Sequence, residues 1–100
     1  MKTVPLCMLT VIAESVLKKR LIHDVREAGA RGYTIINVEG EGTRQRRVGE
    51  ILGDNIRLET IVSPEVAERL LNVISTEYFD RYAVIAYLST VSVIRGEKYV

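Results

Sequence analysis

Tryptophan is absent from this chain of 100 residues, and cysteine, histidine and phenylalanine each occur once. A lone Cys7 excludes any internal disulfide, so the fold must be held by its core, as suits a reducing compartment. Its neighbours from Val4 to Ile12 are mostly apolar, and the expected role of Cys7 is a packing thiol. One histidine and one cysteine supply neither a Ser–His–acid or Cys–His catalytic set nor a metal-ligand cluster, so catalysis and metal binding are not expected. His23, without a second ligand at helical spacing, reads as a surface residue. Charge of one sign is lacking too: fourteen basic side chains meet thirteen acidic ones. That balance argues against a nucleic-acid or anionic-membrane partner held by bulk charge. No apolar run approaches the ~20 residues of a bilayer-spanning helix, and the first residues lack a signal-peptide pattern, so a cytoplasmic protein is expected.

What is present is order. Val4 to Ile12 reads as a buried strand. From Glu14 to about Ala30 the period becomes helical, with Leu17, Leu21, Val25 and Ala28 on one face and Gly29 and Gly32 at its end. Tyr33 to Val38 is a second strand. Asn55 to Val62 alternates, Ile56, Leu58, Thr60 and Val62 facing one way, and gives a third. Ser63-Pro64-Glu65 is an N-cap, a first-turn proline and a first-turn acid; the helix it opens buries Ala67, Leu70, Leu71, Ile74 and Tyr78. Tyr82 to Ile94 reads as a last strand of about 13 residues, long by ordinary standards.

The sequence β-α-β, loop, β-α-β specifies an α+β, ferredoxin-like fold: a four-stranded antiparallel sheet with both helices on one face. Strands one, two and four are apolar at nearly every position, yet two helices cover one face only. The bare faces are therefore expected to pack together in a homo-oligomer, with the overlong last strand reaching a neighbour.

Between the middle strands, Gly40 to Gly53 holds four of the seven glycines and Arg44, Arg46 and Arg47. Glycines allow backbone N–H groups to turn inward around an anion, and guanidinium groups add planar donors suited to phosphate oxygens. The bland alternative is a solvated loop with ordinary turn glycines. Lys18-Lys19-Arg20 is read as a wet helix face. Glu14 either orients a small anion such as bicarbonate or is a helix-start acid. The scattered aromatics lack the paired pattern of an RNA-binding sheet.

Several segments together resemble the PII-like signalling proteins, closest to the branch associated with bicarbonate transport. They are Ala13 to Lys19, Glu27 to Thr34, Gly40-Glu41-Gly42-Thr43-Arg44 with Arg47, and Tyr78 to Ala83. The resemblance implies one domain over residues 1–100, with a T-loop at about 39–55 that a bound effector reshapes. It also implies a homotrimer with adenine-nucleotide sites in the clefts between subunits. Carried over, Thr34 and the Gly40-Glu41-Gly42 backbone border adenine and ribose. Thr43, Arg44 and Arg47 approach the phosphates, and Gly96 closes the cleft from a neighbouring chain. The partner would be a bicarbonate transporter or a carbon-metabolism enzyme, with the transporter as the route to a membrane surface. Residues 39–55 hold no tyrosine for uridylylation. Phe79-Asp80-Arg81-Tyr82-Ala83 stands where a triphosphate-gripping Gly-Lys loop lies in nitrogen-regulatory members, which favours AMP, ADP or cyclic AMP over ATP. The chain lacks the cysteine-bearing terminal hairpin of several transporter-associated members, so the nucleotide cleavage ascribed to it is not expected. The same fold also serves metal-tolerance trimers and small-molecule-binding regulatory modules, and these remain alternatives.

Overall fold

The computed structural model describes residues 1–39 and 54–100. Four strands form one antiparallel sheet: β1 (Val4–Glu14), β2 (Thr34–Val38), β3 (Asn55–Val62) and β4 (Ile85–Val93), in the order β2-β3-β1-β4. Helices α1 (Lys18–Ala28) and α2 (Pro64–Glu77) pack on one face, giving the α+β, ferredoxin-like architecture expected from the order of periods. Register assigns the faces. Leu9, Val11 and Ala13 of β1 stand with Ile56 and Leu58 of β3 against Leu17, Leu21, Val25, Leu70 and Ile74. All are buried, because removing this apolar surface from water is the main stabilising term of so short a chain.

Both helix ends follow their local chemistry. Ser63 caps α2, its hydroxyl accepting from the Val66 N–H at 3.3 Å, with Pro64 in the first turn. Gly29 ends α1 at φ 106°, a left-handed conformation that costs glycine little, and its N–H returns to the last carbonyls of the helix. Arg69 of α2 donates to the Ala28 carbonyl at 2.9 Å, tying the end of one helix to the body of the other.

Three boundaries differ from the sequence reading. β1 runs on to Glu14, because Ala13 and Glu14 find partners in Ile56 and Asn55. A 3-10 turn at Ser15–Leu17 then precedes α1, so the helix starts at Lys18 instead of Glu14. β4 has 9 residues, not about 13. Its whole length, Ile85–Val93, is matched within the chain by Val4–Ile12. Tyr82 and Val84 pack on the core instead, with the Tyr82 ring 6.0 Å from that of Tyr78. Cys7 is half-buried.

Among the described residues, no helix packs on the second face of the sheet. By register it presents Ile36, Ile85 and Tyr87, which are 41%, 54% and 45% exposed. Among them Thr10 is buried, and its hydroxyl has no hydrogen-bond partner among the described residues. Arg57 Nε lies 3.4 Å from a Glu59 carboxylate oxygen but is not hydrogen bonded to it. No described helix is long and apolar enough to cross a membrane.

Candidate functional site

A cleft of about 260 Å³ opens where β2 begins. Its floor is β1 and β3, through Met8, Glu59 and Ile61. One wall is Gly32, Tyr33 and Thr34, and the other is Lys98 and Tyr99 from the C-terminal turn. Two contacts fix the walls. The Thr60 hydroxyl, buried in β3, donates to the Gly32 carbonyl at 2.6 Å and holds the entry to β2 against the sheet. On the opposite side, Arg95 adopts the left-handed conformation at φ 63° and turns the chain into the 3-10 segment Gly96–Lys98, closed by the Tyr99 N–H on the Gly96 carbonyl at 3.0 Å. A methyl group built on Gly96 would overlap Val4 Cγ2, so any larger residue in this turn forces the Val4 side chain to shift.

The lining is chemically mixed. Arg31 and Lys98 bring positive charge, Glu59 negative charge, Tyr33 and Tyr99 apolar rings with hydroxyl tips, and Thr34 a hydroxyl. Arg26 stands over the Tyr33 ring at 5.7 Å, a cation–π contact that orients it. Such a surface can hold a flat polar ring beside an anionic group.

Of the residues expected at a nucleotide site, Thr34 lines this cleft, and Gly96 stands in the turn that supplies Lys98 and Tyr99. Gly40, Glu41, Gly42, Thr43, Arg44 and Arg47 lie outside the described residues. The frame that carries them is clear, however. Val38 pairs with Asn55 and Thr34 with Glu59, so Glu39 and Asp54 stand at one end of the sheet and the cleft at the other. Four strand steps separate Thr34 from Val38, roughly 13 Å of extended backbone. An extended nucleotide is of comparable length.

Sequence reasoning missed Arg31, Tyr33, Glu59, Lys98 and Tyr99. The position of Tyr33 beside Thr34 was a usable signal. The last two were not findable, since only the β1–β4 register carries the C-terminal turn back toward Met8. Glu14, for which two roles were open, caps no helix end with its side chain. Its carboxylate accepts from the Ala83 N–H at 3.3 Å. His23 and the Lys18-Lys19-Arg20 run are exposed. Arg20 nonetheless stands over the Tyr78 ring at 4.7 Å, and the Tyr78 hydroxyl donates to Asp24.

The described fold is thus a ferredoxin-like sheet with a mixed-charge cleft at one end, and in sequence a glycine- and arginine-rich connection joins β2 to β3. The family model for Nitrogen regulatory protein P-II matches residues 6–98. A PII-like signaling protein from Thermus thermophilus is 56% identical over 100% of both chains, with a TM-score of 0.87. CPII from Thiomonas intermedia, in a structure bound to ADP and bicarbonate, is 25% identical with a TM-score of 0.87, covering 99% of this chain and 98% of that one. A further structure of CPII, bound to ADP, AMP and acetate, shares the fold at 24% identity and a TM-score of 0.86, covering 99% of this chain and 98% of that one. The chain belongs to the P-II family and is a PII-like regulatory protein.

Proposed function

We propose that the protein is a sensor of adenine nucleotides that acts by binding instead of by catalysis. The carrying observation is the cleft at Thr34, set one strand-length from the glycine–arginine connection, in a chain whose relative CPII was captured with ADP and bicarbonate. In this reading residues 1–100 are one domain. Thr34 and the Gly40-Glu41-Gly42 backbone border adenine and ribose. Thr43, Arg44 and Arg47 take the phosphate charge within a T-loop at about 39–55. Three copies assemble through the helix-free face, whose exposed Ile36, Ile85 and Tyr87 support burial, and the Gly96 turn that walls the cleft of its own chain also borders the site of a neighbour. Phe79 to Ala83 in place of a triphosphate-gripping loop favours AMP, ADP or cyclic AMP over ATP.

A nucleotide can shift the T-loop only by its differential affinity for two loop states, so effectors differing in phosphate number would give different outputs. The partner reading the loop would be a bicarbonate transporter or a carbon-metabolism protein, which would bring a cytoplasmic sensor to the membrane. Isothermal titration of AMP, ADP, ATP and cyclic AMP into wild type, Arg44→Ala and Thr34→Ala tests the reading, with light scattering for the trimer. ADP binding weakened by either substitution is expected. No binding by any nucleotide at millimolar concentration refutes the sensor, and a lone protomer refutes the shared cleft.

A further inference from the structure

Two tyrosines stand on opposite walls of the cleft. Tyr33 belongs to the wall at the entry to β2 and Tyr99 to the wall formed by the C-terminal turn, above a floor that includes the apolar Met8 and Ile61. Among the described residues the rings in mutual contact are those of Tyr78 and Tyr82, so Tyr33 and Tyr99 line one cleft without packing on each other. Tyr33 is exposed, yet the Arg26 guanidinium lies over its ring at 5.7 Å, within cation–π reach. That contact covers one side of the ring and leaves its second side as the one a ligand can meet. The cleft, at about 260 Å³, is smaller than the ~300–1,000 Å³ of sites that enclose a whole small molecule, so within one chain it suits a single flat group.

We propose that Tyr33 and Tyr99 form a two-sided clamp for the base of the nucleotide, with Arg26 as the positioning residue that holds Tyr33. The inference rests on the adenine-nucleotide reading above and adds to it the group that the described walls recognise. A ring with apolar faces and a polar edge fits this lining. Its faces stack on the tyrosines, while Thr34 and Glu59, paired across β2 and β3, offer a hydroxyl and a carboxylate to its edge.

Isothermal titration of ADP into wild type, Tyr33→Leu, Tyr99→Leu and the matching phenylalanine variants, with proton NMR of bound ADP, tests the clamp. Leucine keeps apolar bulk and removes the ring; phenylalanine keeps the ring. Each leucine variant should raise the Kd by about five- to hundredfold, the range that stacking of a base on one aromatic side chain commands. The phenylalanine variants should bind as wild type does. The carbon-bound protons of the adenine ring should move upfield on binding to wild type and less on binding to either leucine variant, a ring-current signature that a general loss of structure does not produce. Arg26→Ala should raise the Kd by about two- to fivefold, and Arg26→Lys should restore it. Bound ADP without the upfield shift, or phenylalanine variants as weak as the leucine ones, overturns the clamp. An indifferent Arg26→Ala overturns the positioning role. Wild type that binds no ADP refutes the nucleotide reading together with the clamp. Wild type that binds ADP, beside a leucine variant at either position that binds it equally well, refutes the clamp alone.

Discussion

Replacing Tyr78 by phenylalanine removes one oxygen from a residue with no solvent exposure. That hydroxyl donates to Asp24 across the α1–α2 junction, while the Arg20 guanidinium lies over the ring. Phenylalanine keeps the ring, its packing on Tyr82 and the Arg20 contact, so the change isolates the bond to Asp24. Hydrogen bonds to charged groups contribute about 1.5–3 kcal/mol net, and Asp24 can recover part of that by hydration because it is only half-buried; a loss of about 1–2 kcal/mol follows. For a domain of this size that lowers Tm by roughly 4–8 °C per kcal/mol.

The pH dependence sharpens the test. Burial, then the hydrogen bond to Asp24 and its charge, push the Tyr78 hydroxyl well above its ordinary value, while Arg20 opposes them. In the unfolded chain it ionises near pH ~10. The folded state therefore holds a proton that the unfolded state has lost. This stabilisation is complete below about pH 10 and is lost as pH rises from there toward the folded value, at up to about 1.4 kcal/mol per pH unit. The difference between wild type and Tyr78→Phe, measured by urea denaturation at fixed protein concentration, should be steady from pH 6 to 9 and shrink above pH 10. Other tyrosines and lysines cancel in that difference. Equal stability at neutral pH, or a difference indifferent to alkali, would refute the argument.

Gly96→Ala should cost about 1–3 kcal/mol through overpacking on Val4, and the double variant with Val4→Ala should recover most of it in a thermodynamic cycle read by denaturation. Ser63→Ala should lower stability by about 1 kcal/mol by stripping the cap from α2, visible as a lower urea midpoint with an unchanged slope. Thr60→Val should free the Gly32 carbonyl and loosen the cleft wall, raising the Kd for ADP more than it lowers Tm; calorimetry and thermal melts on one preparation decide. Gly29→Ala, forced into a left-handed conformation at φ 106°, should cost about 1 kcal/mol, whereas Gly32→Ala, with open space around it, should be nearly neutral.

The elements whose burial alternates cleanly were legible from residues alone. β3 shows why: Ile56, Leu58, Thr60 and Val62 are all buried and Arg57, Glu59 and Ile61 less so, so period and environment agree residue by residue. The same holds for Leu21, Val25 and Ala28 on the first helix, for Leu17 in the turn before it, and for the Ser63 cap of the second. Strand ends were not legible, because pairing sets them and composition does not. Glu14 is a poor strand former that extends β1 because Asn55 stands opposite, and Tyr82 to Val84 look like strand yet turn onto the core before the ladder begins at Ile85. Half of the cleft was hidden for the same reason. Thr34 was reached through the family resemblance, but Lys98 and Tyr99 acquire meaning only through a fold-back that no local pattern announces.

β2 also behaves as a ruler. Thr34 and Val38 mark its two ends, and the antiparallel register with Glu59 and Asn55 leaves no slack between them. In the nucleotide reading proposed above, a ligand gripped at both ends would be measured against the five residues of β2, and a nucleoside without phosphates would be held at one mark only. Lengthening the strand by two residues preserves every side chain at either end and the inward–outward alternation, yet recalibrates the gauge by roughly 7 Å.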